Sequence, residues 1–278
     1  MPTQGHLPHI LFVGCGNMGS ALLRRFAANK LAASLRVIKP TPLAPDLHPL
    51  AEWHSGIDGL PVGYTPDIVV LAVKPQVMPD VIPVYARYSG ALFLSIAAGV
   101  RLFQLRHMLQ GAALLVRAMP NLPSAIGQGM TTVVTDASLP ALHHAWTQDL
   151  MESLGRALWV TTEDDMDKAG VVAGCGPAFV FAVTEALEQA ALSLGLAPDV
   201  AALLARQTMV GSGAQLAASD VTPALLREAV TSKGGSTAAG LTVLMRDVGA
   251  GEGALQNLFR LTTEASLRRT KELAGGKP

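Results

Sequence analysis

The residues best suited to chemistry gather in two glycine-rich loops. Thr231-Ser232-Lys233-Gly234-Gly235-Ser236-Thr237 sets hydroxyls on both sides of a glycine pair, after a short helix-like run and before an alanine-rich segment that opens another helix. Such a loop can offer several unpaired backbone N–H groups, with the Ser232, Ser236 and Thr237 hydroxyls beside them, to one small anion. Helix N-termini favour anions through those orphan donors and through the dipole. The same residues also read as a plain helix-capping turn, and local sequence leaves both readings open. Near the other end, the apolar run Ile10-Leu11-Phe12-Val13 leads into Gly14-Cys15-Gly16-Asn17-Met18-Gly19, and Ser20 to Phe26 then has helical spacing. Here Gly14 permits the tight turn, Gly16 lets a pyrophosphate approach the backbone, and Gly19 lets helix and strand pack closely. An ordinary turn would not need three glycines at these offsets, so a dinucleotide site is expected.

These loops need a scaffold, and the first half supplies alternating signals. Leu35 to Ile38, Asp67 to Val73, Leu92 to Ile96 and Leu114 to Val116 are near-continuous apolar runs, with a helical run from Leu102 to Leu109. Continuous apolar strands between helices indicate a parallel sheet covered on both faces. Met130 to Thr135 and Ala157 to Val160 read as later strands, and beyond Thr162 the chain reads as helix. The expected fold is α/β: a Rossmann-like parallel-sheet domain over 1–161, then an all-α domain over 162–278. At the end of the second strand the chain runs Val37-Ile38-Lys39-Pro40-Thr41-Pro42, with no acid until Asp46. An NAD site usually has Asp or Glu there for the ribose 2′-hydroxyl. Lys39 and Thr41 could take a 2′-phosphate instead, so NADPH is the expected cofactor, with NADH possible.

Length, at 278 residues, allows one or two domains with their own cores. Lys plus Arg and Asp plus Glu balance at 21 each, which argues against nucleic acid or an anionic membrane as partner. Charged residues make up only 15% and mean hydropathy is +0.35, so large subunit interfaces and a homo-oligomer are expected. The longest uncharged apolar stretch, 169–184, is broken by Gly174, Gly176 and Pro177 and falls short of the ~20 residues of a spanning helix. No membrane span is therefore expected. Met1 to His9 lacks Lys, Arg and a long apolar run, so it is no secretory signal, and a cytoplasmic location is expected. Cys15 and Cys175 are too few for a disulfide framework and read as small packing residues. The seven histidines show no metal-like spacing; no metal is expected, and His6 and His9 read as part of a terminal tail.

Taken in order, the two loops and the segments Val70-Leu71-Ala72-Val73-Lys74-Pro75-Gln76, Ser95-Ile96-Ala97-Ala98-Gly99-Val100, Arg117-Ala118-Met119-Pro120-Asn121 and Gly174-Cys175-Gly176-Pro177-Ala178-Phe179 resemble the pyrroline-5-carboxylate reductase family over nearly the whole chain. The resemblance implies NADPH-dependent reduction of a cyclic imino acid, 1-pyrroline-5-carboxylate, to L-proline. It implies a cofactor lined by Gly14, Gly16, Asn17, Met18, Gly19, Ala72, Val73, Lys74, Pro75, Ile96, Ala97 and Ala98, with Asn121 near the nicotinamide. It also implies a substrate held by Ser232, Gly234, Gly235, Ser236 and Thr237, with Thr237 nearest the ring nitrogen and Asp220 at the pocket. Interlocked helical domains forming a dimer or larger ring are implied as well. An N-cap or turn role for Asp220 stands as an alternative. Two departures stand out: Leu122 replaces the family's Thr, and the segment 39–67, with Pro40, Pro42, Pro45, Pro49, Pro61 and Pro66, is too short for the usual helix, strand and helix. One of those helices is expected to be missing or reduced to a turn. A six-membered imino acid as substrate, or a non-catalytic nucleotide sensor, are the competing readings.

Overall fold

The computed structural model describes residues 6–111, 114–249 and 253–275. The chain divides into two compact units, one running to Pro177 and resuming at Leu267, the other spanning Ala178–Ser266.

In the first unit, β1 (His9–Val13), β2 (Ser34–Ile38), β3 (Glu52–His54), β4 (Ile68–Leu71), β5 (Leu92–Ser95), β6 (Leu114–Met119), β7 (Gly129–Val134) and β8 (Gly155–Trp159) form one eight-stranded sheet. The strand order is β3-β2-β1-β4-β5-β6-β7-β8. The central register aligns Ile10 with Ile68, Ile68 with Leu92, and Leu92 with Leu114. β4 and β5 are buried along their whole length, as strands covered on both faces must be. Alternate residues serve alternate faces. Ile10, Phe12, Val70 and Leu94 pack with Leu22, Leu23 and Phe26 of α1 (Asn17–Ala28) and with Trp146 and Leu150 of α4 (Ala141–Glu152). Leu11, Val13, Leu71 and Phe93 pack with Met78 of α2 (Met78–Val81), Leu102 and Leu105 of α3 (Leu102–Met108), and Met166 of α5 (Glu163–Ala173).

Three features depart from the sequence reading. β7 runs antiparallel to β6, because only a single 3₁₀ turn, Leu122–Ile126, ending in Gly127 at φ +73°, joins them. That is too short for a crossover to a parallel strand. In 39–67 the strand survives as β3, but both helices are gone: turns precede it and a lone 3₁₀ turn, Ile57–Gly59, follows. The prolines there interrupt any helical ladder. Leu43 and Leu47, both buried, cover the sheet where a helix would have packed. Finally, His6 and His9 are not a loose tail. His9 opens β1, and the His6 carbonyl accepts a hydrogen bond from Trp146 Nε1 at 3.2 Å.

Strand structure ends at Trp159, and the Thr162 side chain caps α5 by accepting from the Asp165 N–H at 3.1 Å. Glu163, Asp164 and Asp165 in the first turn suit the helix dipole. The helical signal thus begins where the composition changes, while the first compact unit continues to Pro177.

From Gly176 onward the elements are α6 (Gly176–Ser193), α7 (Pro198–Ala217), α8 (Pro223–Ala229), α9 (Ser236–Leu244) and α10 (Ala254–Leu273). Among the described residues of the second unit only Ala201 and Ala205 are fully buried, while Phe181, Leu203, Val210, Val243 and Leu258 are exposed. The helical run Glu163–Ser193 is long and apolar enough to cross a membrane by length and composition alone. Counting only the uncharged stretch 169–184 hid this, because no more than a two-residue turn at Gly174 and Cys175 separates α5 (Glu163–Ala173) from the helix that starts at Gly176. An apolar helical face this open is equally what a subunit interface looks like before its partner is added.

Candidate active site

The β1–α1 turn shows each fingerprint glycine at work. Gly14 sits at φ +83°, and a Cβ there would lie 2.6 Å from Val73 Cγ1 and 2.9 Å from the Ala72 carbonyl oxygen. Its N–H donates to the Ile38 carbonyl at 2.8 Å, tying the turn to β2. A Cβ on Gly19 would approach Ala72 Cβ at 3.2 Å, so α1 lies close against the exit of β4. Gly16 differs: it is the N-cap of α1, it is exposed, and a Cβ there would meet nothing within 4 Å. No side chain caps α1, so its first N–H groups face that open space, as a bound pyrophosphate requires. The residues present therefore fit a dinucleotide.

Ala72, Val73, Lys74 and Pro75 follow β4, Ile96, Ala97 and Ala98 follow β5, and Asn121 follows β6. Lys39 and Thr41 follow β2. β1, β2, β4, β5 and β6 are parallel, so every expected cofactor residue stands at one edge of the sheet, beyond the carboxyl ends of the strands where such folds bind ligands. Trp53 Nε1 donates to the Lys39 carbonyl at 3.1 Å and fixes that backbone. The Lys39 ammonium is 3.4 Å from the Pro42 carbonyl, a long contact it can leave.

A cleft of about 500 Å³ opens at the same edge, lined among others by Pro75, Ala98, Met119, Pro120, Asp167 and Gly174. Two small residues one turn apart make room for it: Gly174 N–H donates to the Gly170 carbonyl at 2.7 Å, and a Cβ on Gly174 would strike that oxygen at 2.6 Å. Ion pairs brace its walls. Arg117, 2% exposed on β6, pairs with Glu163, whose Oε1 also accepts the N–H of Leu102 at 2.9 Å and so serves the N-terminus of α3. Arg101 reaches Asp167 at 2.5 Å. Outside the cleft lining, Lys168 and then Lys271 hold the Asp164 carboxyl below the usual carboxylate range, with Lys271 Nζ 3.3 Å from it.

Asn121 is 8% exposed, and its amide is fully engaged in the fold. Nδ2 donates to the Ala173 carbonyl at 2.9 Å and Oδ1 accepts from the Met130 N–H at 3.0 Å, so the side chain locks the end of α5 to the start of β7. Asp167, Gly170 and Cys175 line the cleft but were not singled out from the sequence as site residues. The paired glycines at 170 and 174, one helical turn apart, were the signal available.

In the second unit, Gly234 lies at φ +73°, and a Cβ on Gly235 would press on the Ser232 carbonyl oxygen at 3.2 Å. Gly235 is the N-cap of α9 and no side chain caps that helix. The backbone donors of its first turn are thus left for a ligand, beside the exposed Ser232, Ser236 and Thr237. Thr231 and Thr242 donate their hydroxyls to the carbonyls four residues back, whereas Thr237 makes no such bond. Asp220 is exposed, and it is Thr222 that caps α8, accepting from the Leu225 N–H at 3.4 Å. The capping alternative for Asp220 therefore falls away.

Comparison with known proteins agrees with this arrangement. Residues 163–273 match the family model for pyrroline-5-carboxylate reductase dimerisation, and residues 9–99 match that for NADP oxidoreductase, coenzyme F420-dependent. A pyrroline-5-carboxylate reductase of Pasteurella multocida is 33% identical over 95% of this chain and 97% of its own. The solved pyrroline-5-carboxylate reductase of Coxiella burnetii superposes with a TM-score of 0.88 at 30% identity, over 98% of this chain and all of the other. A Plasmodium falciparum pyrroline carboxylate reductase solved with NADP bound gives 0.81 at 28% identity, over 97% and all. With its two ends matched by these family models and nearly its whole length by such relatives, this chain belongs to the pyrroline-5-carboxylate reductase family of oxidoreductases acting on a C=N bond.

Proposed function

We propose that this chain reduces 1-pyrroline-5-carboxylate to L-proline with NADPH as hydride donor, the last step of proline biosynthesis. The observation that carries the substrate assignment is the uncapped N-terminus of α9, with a glycine as N-cap and exposed hydroxyls around it. A carboxylate can be held there by backbone N–H groups of the Ser232–Thr237 loop without an arginine. Asp220 completes the residues assigned to the substrate.

When bound, NADPH supplies the hydride that adds to the C=N carbon. That carbon becomes a CH₂ group, so no stereocentre forms, and the protein's task is to hold the ring and its carboxylate in reach. Thr237 is assigned to the ring nitrogen, where a hydrogen bond or relayed proton makes the imine a better electrophile and remains on the product amine. Gly14, Gly16, Asn17, Met18 and Gly19 are assigned to the pyrophosphate. Lys39 and Thr41 are assigned to the 2′-phosphate, supported by the missing acid at the end of β2. Ala72 to Pro75 and Ile96 to Ala98 are assigned to the remaining cofactor surface, with Asn121 contributing through its backbone. A cytoplasmic homo-oligomer belongs to the same reading, supported by the dimerisation match and the open apolar helices.

The test is NADPH oxidation by the purified chain with 1-pyrroline-5-carboxylate, repeated with NADH and with Thr237→Ala. Substrate-dependent oxidation is expected, faster with NADPH, and kcat/KM in the variant is expected to fall roughly 10- to 1000-fold, as for one lost positioned donor. No substrate-dependent oxidation ends the reading. An unchanged value in the variant removes Thr237, and a preference for NADH removes the 2′-phosphate assignment.

A further inference from the structure

At the amino end of the sheet, opposite the cofactor edge, three metal-binding side chains meet that the reductase reaction does not use. His9 opens β1 and Asp67 immediately precedes β4, and the two strands are paired neighbours. His6 lies just ahead of β1. Each residue offers one ligand atom, and the three atoms all lie within 4.8 Å of one another. His6 Nε2 is 3.9 Å from Asp67 Oδ2, and the two imidazoles stand edge to face with centroids 5.9 Å apart.

We propose that His6, His9 and Asp67 form a structural site for one divalent ion of the zinc class. The donor set, two imidazoles and one carboxylate, is one that zinc and neighbouring transition metals take up with water in the open positions. Bonds of ~2.1 Å at tetrahedral angles put neighbouring ligand atoms ~3.4 Å apart, so the observed cluster needs only a small contraction. The outer contacts are of the kind that orient metal ligands. Asp67 Oδ2 is held by the His9 backbone N–H at 2.7 Å, and His9 Nδ1 lies 2.7 Å from Ser34 Oγ. The His6 main chain is anchored by Trp146, and its 65% exposed side chain is free to swing in. Without an ion this contact is a long, solvated His–Asp pair, a kind that adds little to stability. Bound metal would staple the segment before β1 to the edge of β4 and add stability by favouring the folded chain.

The test titrates Zn²⁺ into the full-length chain, free of any polyhistidine tag, by calorimetry and thermal unfolding. One ion per chain is expected, with Tm rising roughly 4–8 °C at a hundredfold excess over Kd and returning with EDTA. Both signals should vanish in His6→Ala, where the ring removed is 65% exposed, and in Asp67→Asn. Reductase activity should be the same with Zn²⁺ and with EDTA, since the site and the fingerprint turn lie at opposite ends of β1. Absence of a metal-dependent shift in the parent chain overturns the proposal, and so does a shift of equal size in His6→Ala.

Discussion

Gly16 and Gly14 stand two positions apart and do opposite work. One keeps a surface open; the other permits a turn nothing else could make. A side chain at 16 would meet no protein atom, so its cost should fall on the ligand alone. For Gly16→Val we expect KM for NADPH to rise at least about tenfold, with Tm moving no more than ~2 °C, the range of a neutral surface change. Steady-state kinetics beside a melting curve checks this, and a large Tm loss with unchanged KM would contradict it. These glycine roles were legible in the sequence because they depend on backbone conformation over a few neighbouring residues. The role of Asn121 was not. Its two partners, at Ala173 and Met130, belong to elements that only the fold brings beside it.

Among the elements, α5 does the most positioning. Its Glu163 accepts from buried Arg117 and from the N-terminus of α3, its Asp167 accepts from Arg101, and its Ala173 carbonyl accepts from Asn121. Removing the Asn121 amide leaves a backbone N–H and a backbone carbonyl without their partner in a half-buried site. Asn121→Ala should therefore cost ~1–3 kcal/mol, read as a lower urea midpoint at unchanged slope. A midpoint equal to the parent's would show that water replaces the amide. The strands of this layer could be placed from their apolar runs to within a few residues. β7 was placed too, at Met130 to Thr135, but not its direction, which is decided by the tight turn at Leu122–Ile126 rather than by its own residues. The stretch 39–67 was legible only as a shortage: its prolines announced a lost helix, but the loss of both depended on Leu43 and Leu47 being able to cover the sheet unaided.

At the scale of the whole molecule, a neutral net charge and 15% charged residues meet helices whose apolar side chains stand in solvent. A lone chain with that surface should not persist. Light scattering behind gel filtration is expected to report at least twice 28.9 kDa, and a single-chain mass at micromolar concentration would remove the oligomer from the proposal. Composition pointed to such an association without saying which faces would meet. The sheet has a margin of another kind. β3 contributes just three residues at its outer limit, with Glu52 exposed and ion-paired to Arg36. So brief and charged a border gives a passing chain almost no ladder to extend, so fibril-like zipping is discouraged there.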